Sequence, residues 1–417
     1  MAYLPRILDD ELASQLRSSG AVLIEGPKAV GKTATAQERA TSVVRLDIDQ
    51  AAARAASVDP GLILGGDTPR LIDEWQVVPG IWNRVRHEVD ARAAPGQFIL
   101  TGSAVPADDA TRHTGALRIT RLRMRPMTLF ETGASTGDVS VDALLAGAEP
   151  PPAAAELAIP TVAELVCRGG WPLLQALAVP DAQHALRDYL TEISHTDIQR
   201  VDGVSRDPAK VDRVIRSVAR NVGTMATITS IAADTAADDD PVTRRTVPDY
   251  LKALDRLMVM EDQPAWAPQL RSRVQLRVTP KRHFVDPCLA AAALGATPER
   301  LLADLNYFGF LFESLVVRDL RVYTQRLRGQ LLHYRDNTNL EVDQVIQLFD
   351  GRWAGLEVKL GGYDAIEAAA GSLLRFAKRI DQDHAGAPAF LAVVTASGYA
   401  YRRPDGVLIL PIGCLGP

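Results

Sequence analysis

One stretch near the N-terminus combines residues that could hold a phosphate chain: Gly26-Pro27-Lys28-Ala29-Val30-Gly31-Lys32-Thr33. Its two glycines let the backbone curve closely around an anion, with successive N–H groups pointing inward. Lys32 is placed to reach the β- and γ-phosphates, and the Thr33 hydroxyl is placed to bind Mg²⁺. The spacing therefore predicts binding of a nucleoside triphosphate, for which we expect ATP and Mg²⁺ as cofactors.

The elements expected around this loop are those that such a loop requires. The apolar run 21–24 predicts a buried strand before it, and the helical pattern 33–40 predicts a helix after it. A chance glycine-rich turn would not need this order of strand, loop and helix. The order favours the phosphate-binding interpretation.

Two adjacent acidic residues, Asp73 and Glu74, follow the predicted strand 70–72. Asp73 would hold Mg²⁺ through water, and Glu74 would polarise the water that attacks the γ-phosphate. An acidic turn after a strand is common by itself, but this one lies 40 residues after Thr33. That placement favours the catalytic interpretation.

A further predicted strand, 97–103, ends in small polar residues. In phosphate-loop ATPases with an added catalytic Glu, such a strand lies between the strands that lead to the loop and to the acidic pair. We therefore expect Thr101 or Ser103 to contact water or the γ-phosphate. The sequence does not separate the two.

The segment 3–131 resembles the bacterial and archaeal AAA+-like ATPases in four stretches: GPKAVGKT, LIDEWQ, ILTGS and RMRPMTLFE. The resemblance implies an α/β domain, placed at 1–145, with a parallel sheet flanked by helices. In that family a domain of unknown function follows, with a signature like the one at 168–172. Many AAA+ enzymes take an arginine finger from a neighbouring subunit, so a homo-oligomer could form. The candidates, which no local pattern separates, are Arg86, Arg112 and Arg118.

The middle region, placed at 158–290, predicts helices followed by a β-ribbon. Three helices and a ribbon are typical of a winged helix-turn-helix, which makes DNA a predicted partner. A winged helix that contacts only protein is the alternative. The predicted helices are 211–221, 228–235 and 243–258, and the ribbon is 259–285. The basic residues that could contact phosphates are Arg244, Arg245, Lys252, Arg271, Arg273 and Arg277.

Charged residues recur on predicted elements of the C-terminal region, 291–417. Glu357 and Lys359 lie two apart on one predicted strand and share a face, and Asp343 lies on the neighbouring strand. The arrangement resembles a PD-(D/E)xK nuclease-like α/β core, with Glu313 as the acid of the preceding helix. The resemblance implies that the three carboxylates hold Mg²⁺ and that Lys359 steadies the attacking water.

Two other interpretations of these residues stay open. The turn 336–339 stands where the nuclease-like family has a Pro-Asp dipeptide. Such cores are also often retained as inactive binding scaffolds, and an exposed charged hairpin would need no site at all. The sequence does not decide between catalysis and these alternatives.

Length and composition limit the class of protein. A chain of 417 residues predicts two or three domains, and the Ala- and Pro-rich stretch 146–157 is typical of a linker between them. The net charge of −5 argues against a uniformly basic protein. Three widely spaced cysteines argue against a zinc site or disulfide framework. With no signal peptide and no apolar run of about 20 residues, we expect a cytoplasmic protein without membrane contact.

Two functional hypotheses follow. In the first, the chain is a Mg²⁺-dependent ATPase whose nucleotide state controls DNA binding or processing by the winged-helix and nuclease-like regions. In the second, ATP drives a molecular switch that acts on a protein partner, and the C-terminal domain is an inactive scaffold. The Lys359 constellation favours the first, and the acidic net charge favours the second.

Overall fold

The computed structural model describes residues 3–102, 114–201, 203–235, 242–269 and 278–417. The chain divides into two units. The first comprises Met1–Arg125, Asp197–Ser205 and Ala253–Met258, and the second comprises Pro126–Thr196, Arg206–Lys252 and Val259–Pro417. The predictions for Ser103, Arg112, Arg271, Arg273 and Arg277 lie outside the described residues.

A five-stranded sheet organises the first unit. Its strands are β1 (Ala21–Glu25), β2 (Ser42–Arg45), β3 (Arg70–Asp73), β4 (Phe98–Gly102) and β5 (Ile119–Arg123). They are all parallel and run in the order β2-β3-β4-β1-β5. The predicted position of β4, between β1 and β3, is confirmed. The loop after β1 and the ends of β3 and β4 therefore meet at the carboxyl edge of the sheet.

Apolar residues alternate along β1, and each face of the sheet has its own core. Leu23 belongs to one cluster, with Trp75 and Trp82. Ile24 belongs to the other, with Leu12. The flanking helices are α1 (Leu8–Ser18), α2 (Lys32–Gln37), α3 (Gln50–Val58) and α4 (Gly80–Arg92). The predicted parallel α/β class of the N-terminal region is confirmed.

The middle of the chain is helical. Its helices are α5 (Val141–Leu145), α6 (Ile159–Arg168), α7 (Val179–Glu192), α8 (Ile198–Arg200), α9 (Pro208–Arg220), α10 (Ile228–Asp234) and α11 (Val247–Arg256). The last three confirm the predicted helices. In the predicted ribbon, the described residues form two isolated antiparallel bridges, Met260–Phe284 and Gln263–Lys281. The winged-helix assignment stays a prediction.

A mixed seven-stranded sheet forms the C-terminal region. Its strands are β7 (Ala153–Ala155), β8 (Gln330–Arg335), β9 (Glu341–Gln347), β10 (Trp353–Lys359), β11 (Leu391–Thr395), β12 (Gly398–Arg402) and β13 (Leu408–Pro411). They run in the order β7-β12-β13-β11-β10-β9-β8. The linker prediction is wrong at residues 153–155, because this segment pairs its backbone with β12 as an edge strand.

Further elements complete the second unit. The short strands β6 (Val139–Ser140) and β14 (Leu415–Gly416) pair in parallel. The helices are α12 (Pro287–Leu294), α13 (Pro298–Ala303), α14 (Leu305–Gln325), α15 (Tyr363–Arg379) and α16 (Gln382–Ala385). Among the described residues, no helix combines the length and the apolar character that crossing a bilayer requires.

An aromatic cluster fixes α15 against the sheet. The ring centroids of Trp266 and Trp353 lie 5.0 Å apart, and Phe376 of α15 lies 5.8 and 5.6 Å from them. Residues an even number apart share a strand face, so the face of β10 that carries Trp353 also carries Glu357 and Lys359. The packing of α15 thus closes one side of the region where the C-terminal charges lie.

Candidate functional site

The loop between β1 and α2 has the tight backbone that its sequence predicts. Gly31 and Ala29 have positive φ angles of 107° and 60°, in or near the left-handed region. A Cβ atom at Gly26 would lie 2.2 Å from the carbonyl oxygen of Met124, so no larger residue fits there. Together these features shape the loop closely enough to surround an anion.

Lys32 lies across this loop. Its side chain is buried, with 6% of the residue exposed, and Nζ donates to the carbonyl oxygens of Gly26 at 3.0 Å and Pro27 at 2.8 Å. Burial lowers the pKa of Lys32 to about 8, although the nearby Glu74 and Asp73 carboxylates act in the opposite direction. The ammonium group is therefore held inside the loop that would surround a phosphate.

The carboxylate of Asp73 joins two other predicted site residues. It accepts a hydrogen bond from the Thr33 hydroxyl at 2.8 Å and another from the Thr101 hydroxyl. Asp73 and Thr101 are both buried. The structure thus brings together Thr33 of α2, Asp73 of β3 and Thr101 of β4, and these oxygen atoms fit a hard cation such as Mg²⁺.

Glu74 stands beside this cluster in an unusual backbone conformation. Its φ and ψ angles are 53° and 47°, in the left-handed region, which costs a residue other than glycine about 1 kcal/mol or more. Its carboxylate accepts a hydrogen bond from the Gln76 amide. Burial raises the pKa of Glu74, and the Gln76 hydrogen bond and the Lys32 charge oppose the increase. A carboxylate with a raised pKa suits the general-base role predicted for Glu74.

One contact of the loop was not predicted. Lys28 forms an ion pair with Asp197, which lies 169 positions later at the end of a five-residue π-helix, Ile193–Asp197. The Asp197 side chain is buried, whereas that of Lys28 is 45% exposed. No local pattern marks Asp197, because its role depends on chain packing and not on spacing.

The described arginine-finger candidates have partners close to them. Arg118 pairs with Asp90 at 2.9 Å, and Nη2 of Arg86 lies 3.4 Å from the ring of His87. These contacts do not select a finger. Its identity stays a prediction.

The second predicted constellation also comes together, within the second unit. Lys359 Nζ lies 2.8 Å from Oε2 of Glu357 and 3.3 Å from Oδ2 of Asp343. The backbone N–H of Val358 donates to the same Asp343 oxygen at 3.0 Å. Adjacent strands β9 and β10 therefore position these three residues as predicted.

A buried lysine that the sequence analysis missed connects this group to Glu313. Lys281 Nζ lies 2.9 Å from Glu313 Oε1, 3.0 Å from Glu341 Oε1 and 3.4 Å from Asp343 Oδ1. Lys281 is 3% exposed. The position of Glu341, two residues before Asp343 on β9, was a usable signal, but nothing in the sequence around Lys281 indicated its role.

Burial and these ion pairs shift the pKa values of Lys281, Glu313, Asp343 and Glu357. Burial raises the pKa of Glu357 to about 8 and that of Glu313 to about 7. Burial alone would also raise the pKa of Asp343, but the Lys281 and Lys359 ammonium groups lower it to about 2. Burial would lower the pKa of Lys281, yet the surrounding carboxylates raise it above its ordinary value. The cluster is a partly buried salt-bridge network in which each charge affects the protonation of its neighbours.

This network lies in a cavity of about 680 Å³, lined by Lys281, Glu313, Asp343 and Glu357 and by Arg335 and Arg375. Within the described residues, no group of three or more His, Cys, Asp or Glu side chains is arranged to hold a metal ion. The carboxylates instead face ammonium groups, so the residues do not fit Mg²⁺ in this arrangement. The assignment of Asp343, Glu357 and Glu313 as metal ligands therefore gains no support and stays a prediction.

Comparison with known proteins finds matches to three domain models, one in each part of the chain. Residues 18–133 match the model of an AAA domain, whereas residues 159–300 and 308–415 match two domains of unknown function, DUF8612 and DUF4143. The predicted AAA-type ATPase domain, followed by regions of unknown function, is confirmed. No support for a DNA-related role comes from these matches.

Individual proteins are similar to this chain over most of its length. Two uncharacterized proteins, from Mycobacterium bovis and Mycobacterium tuberculosis, are each 24% identical over 405 residues, which is 96% of this chain and 82% of theirs. A solved Walker-type ATPase of Pyrococcus abyssi is 12% identical, with a TM-score of 0.44, over 69% of this chain and 94% of that one.

The buried Lys32 leads to a prediction about pH. We expect ATP affinity, expressed relative to that of Lys32→Arg, to fall above about pH 8 by up to about tenfold per pH unit, because free Lys32 then loses the proton that phosphate binding requires. Calorimetric titrations across this range measure the effect. Lys32→Arg is the matched control, since a guanidinium stays charged. An equal loss of affinity in both proteins would contradict the assignment to Lys32.

Proposed function

We propose that the chain is a Mg²⁺-dependent ATPase that works as a molecular switch. The observation that carries the proposal is the meeting of Thr33 and Thr101 on the buried Asp73 carboxylate, with Lys32 and Glu74 beside it. Those residue types at one edge of a parallel sheet match what phosphoryl transfer from ATP to water needs. The match of this region to an AAA domain supports the same conclusion.

Each side chain would have a distinct task. Lys32 would leave its carbonyl partners to neutralise the β- and γ-phosphates. Thr33 would bind Mg²⁺ directly and Asp73 would bind it through water, while Thr101 orients the Asp73 carboxylate. Bound Mg²⁺ supplies charge neutralisation on the phosphate oxygens. Glu74 would orient the attacking water and accept its proton.

The ion pair between Lys28 and Asp197 supports the switch part of the proposal. Lys28 belongs to the phosphate loop, and Asp197 is the last residue of the π-helix that directly follows α7. Phosphate oxygens in the loop would offer Lys28 a competing set of anionic partners. Nucleotide binding would thereby loosen Asp197 and change the state of the segment around it.

The C-terminal region, which we propose to extend over 291–417, would act as a scaffold with a nuclease-like core. This choice favours a protein partner over DNA, because both lysines of the cluster already pair with its carboxylates. The proposed bounds of the other domains are 1–145 and 158–290. Lys252 of α11, with Arg244 and Arg245 before it, would then lie on a protein-binding surface.

The first test concerns hydrolysis. Glu74→Gln should bind ATP as wild type does but lose turnover by about two to four orders of magnitude, the range that a general base contributes. Lys32→Ala should not bind ATP measurably. Glu88→Gln, at a partly buried carboxylate of α4 that pairs with Arg84 and Arg92, is the matched control and should turn over normally. Full turnover by Glu74→Gln would remove Glu74 from the mechanism.

The second test concerns the ion pair. Asp197→Asn should tighten ATP binding by a few-fold, because Lys28 then has no carboxylate partner to give up when it binds phosphate. The change should be no larger, since a half-exposed ion pair contributes about 1 kcal/mol or less. The same substitution in a Lys28→Ala background should have no effect on the dissociation constant. An equal change in both backgrounds would mean that Asp197 acts on the fold and not on Lys28.

The third test separates the two functional hypotheses. We expect ATP turnover to be the same with and without duplex DNA at low ionic strength, because the scaffold hypothesis includes no DNA contact. Turnover that rises with DNA and loses this rise in higher salt would instead favour the nucleic-acid hypothesis, since released counterions make phosphate contacts salt-dependent.

A further inference from the structure

The cavity of the second unit encloses more negative charge than its predicted site residues suggest. Glu313, Glu341, Asp343 and Glu357 each place a carboxylate oxygen within 3.4 Å of a lysine ammonium group. Carboxylates grouped in this way are stabilised by cations that lie between them, and burial favours protonation of those that are less well paired. In a metal-dependent site the cation would be a divalent ion. Here the cations are side chains of the chain itself.

Lys281 occupies the centre of this group. An ammonium group has three N–H donors and no acceptor, and three carboxylates surround Lys281 Nζ at 2.9, 3.0 and 3.4 Å. The ammonium group donates hydrogen bonds to Glu313 and Asp343, and Glu341 lies within ion-pair distance. Two of the predicted metal ligands, Glu313 and Asp343, are among these partners, so the ammonium group lies between them.

The backbone holds Lys281 in this position. Its N–H donates to the carbonyl oxygen of Gln263 at 3.0 Å, and the N–H of Gln263 donates to the carbonyl oxygen of Lys281 at 2.8 Å. The side-chain amide of Gln263 in turn donates to Leu332 and Gln344 of the neighbouring strands, at 2.8 and 2.6 Å. A lysine fixed at its backbone and satisfied at its ammonium group is part of the fold and does not swing freely.

We propose that the Lys281 ammonium group replaces the divalent cation of the C-terminal cavity, which is therefore a metal-free site without metal-dependent nuclease activity. The inference deepens the proposed scaffold role of this region and does not depend on ATP hydrolysis. It also gives Lys281 a defined task, which is to hold together α14 and β9 through Glu313, Glu341 and Asp343.

The test is a gain of metal binding. Lys281→Met removes the ammonium group and keeps an unbranched side chain of similar length, leaving the carboxylates free to take a divalent ion. All proteins would carry Asp73→Asn, which removes the predicted metal contact of the nucleotide site. Each would be titrated with Mn²⁺ in the absence of nucleotide, and electron paramagnetic resonance would measure the bound ion. The parent should show no saturable Mn²⁺ site, and the Lys281→Met protein should gain one.

Two matched variants locate the gained site. Lys359→Met removes the other lysine of the cluster but leaves Lys281 in place, so it should gain no Mn²⁺ site. Asp343→Asn added to Lys281→Met should abolish the gained site. Lys281→Met should also melt at a lower temperature than its parent, and Mn²⁺ should raise its melting temperature towards that of the parent.

The parent protein keeps the proposal falsifiable even if Lys281→Met does not fold. A saturable Mn²⁺ site in the parent that Asp343→Asn removes would overturn the inference, and so would Mn²⁺ binding by Lys359→Met alone. ATP turnover is measured separately, on protein with Asp73 intact. Absent turnover in that wild-type protein would overturn the proposed ATPase function and leave the result for the cavity unchanged.

Discussion

The buried carboxylate of Asp73 is the constraint on which the N-terminal structure depends. A charge removed from water must find hydrogen-bond donors, and Asp73 finds them in the hydroxyl groups of Thr33 and Thr101. The donors come from different elements, α2 and β4. They reach one carboxylate only because β4 lies between β1 and β3 in a parallel sheet. The strand order therefore decides whether both hydroxyl groups can reach the Asp73 carboxylate.

In the C-terminal region, a different kind of donor satisfies a carboxylate that is removed from water. The carboxylate of Asp343 is also largely removed from water, with 15% of the side chain exposed, but its partners are the ammonium groups of Lys281 and Lys359 and one backbone N–H. Hydroxyl groups can turn towards a metal ion as fellow ligands, as we propose for Thr33, whereas an ammonium group repels a cation. The first cluster is therefore compatible with Mg²⁺, and the second is compatible with a scaffold.

The sequence could predict those features that are local along the chain. The phosphate loop and Asp73 each lie at the end of an apolar strand, so spacing alone identified them. Asp197 and Lys281 were missed because their partners lie 169 and 32 to 62 positions away, and only packing brings them together. Residues 153–155 were misassigned for a related reason, since an alanine segment has weak strand propensity and pairs only because β12 offers an edge.

The Lys28–Asp197 pair also constrains how the proposed switch would work. If bound phosphate draws Lys28 away from Asp197, phosphate binding and the release of Asp197 are linked by one coupling free energy. That coupling free energy is the same in both directions. A partner that displaces Asp197 would then tighten ATP binding by the same factor by which ATP favours that partner. Because Lys28 is 45% exposed, solvent weakens the pair, and the coupling from this contact is modest. A strong switch would therefore require further contacts that also differ between the two nucleotide states.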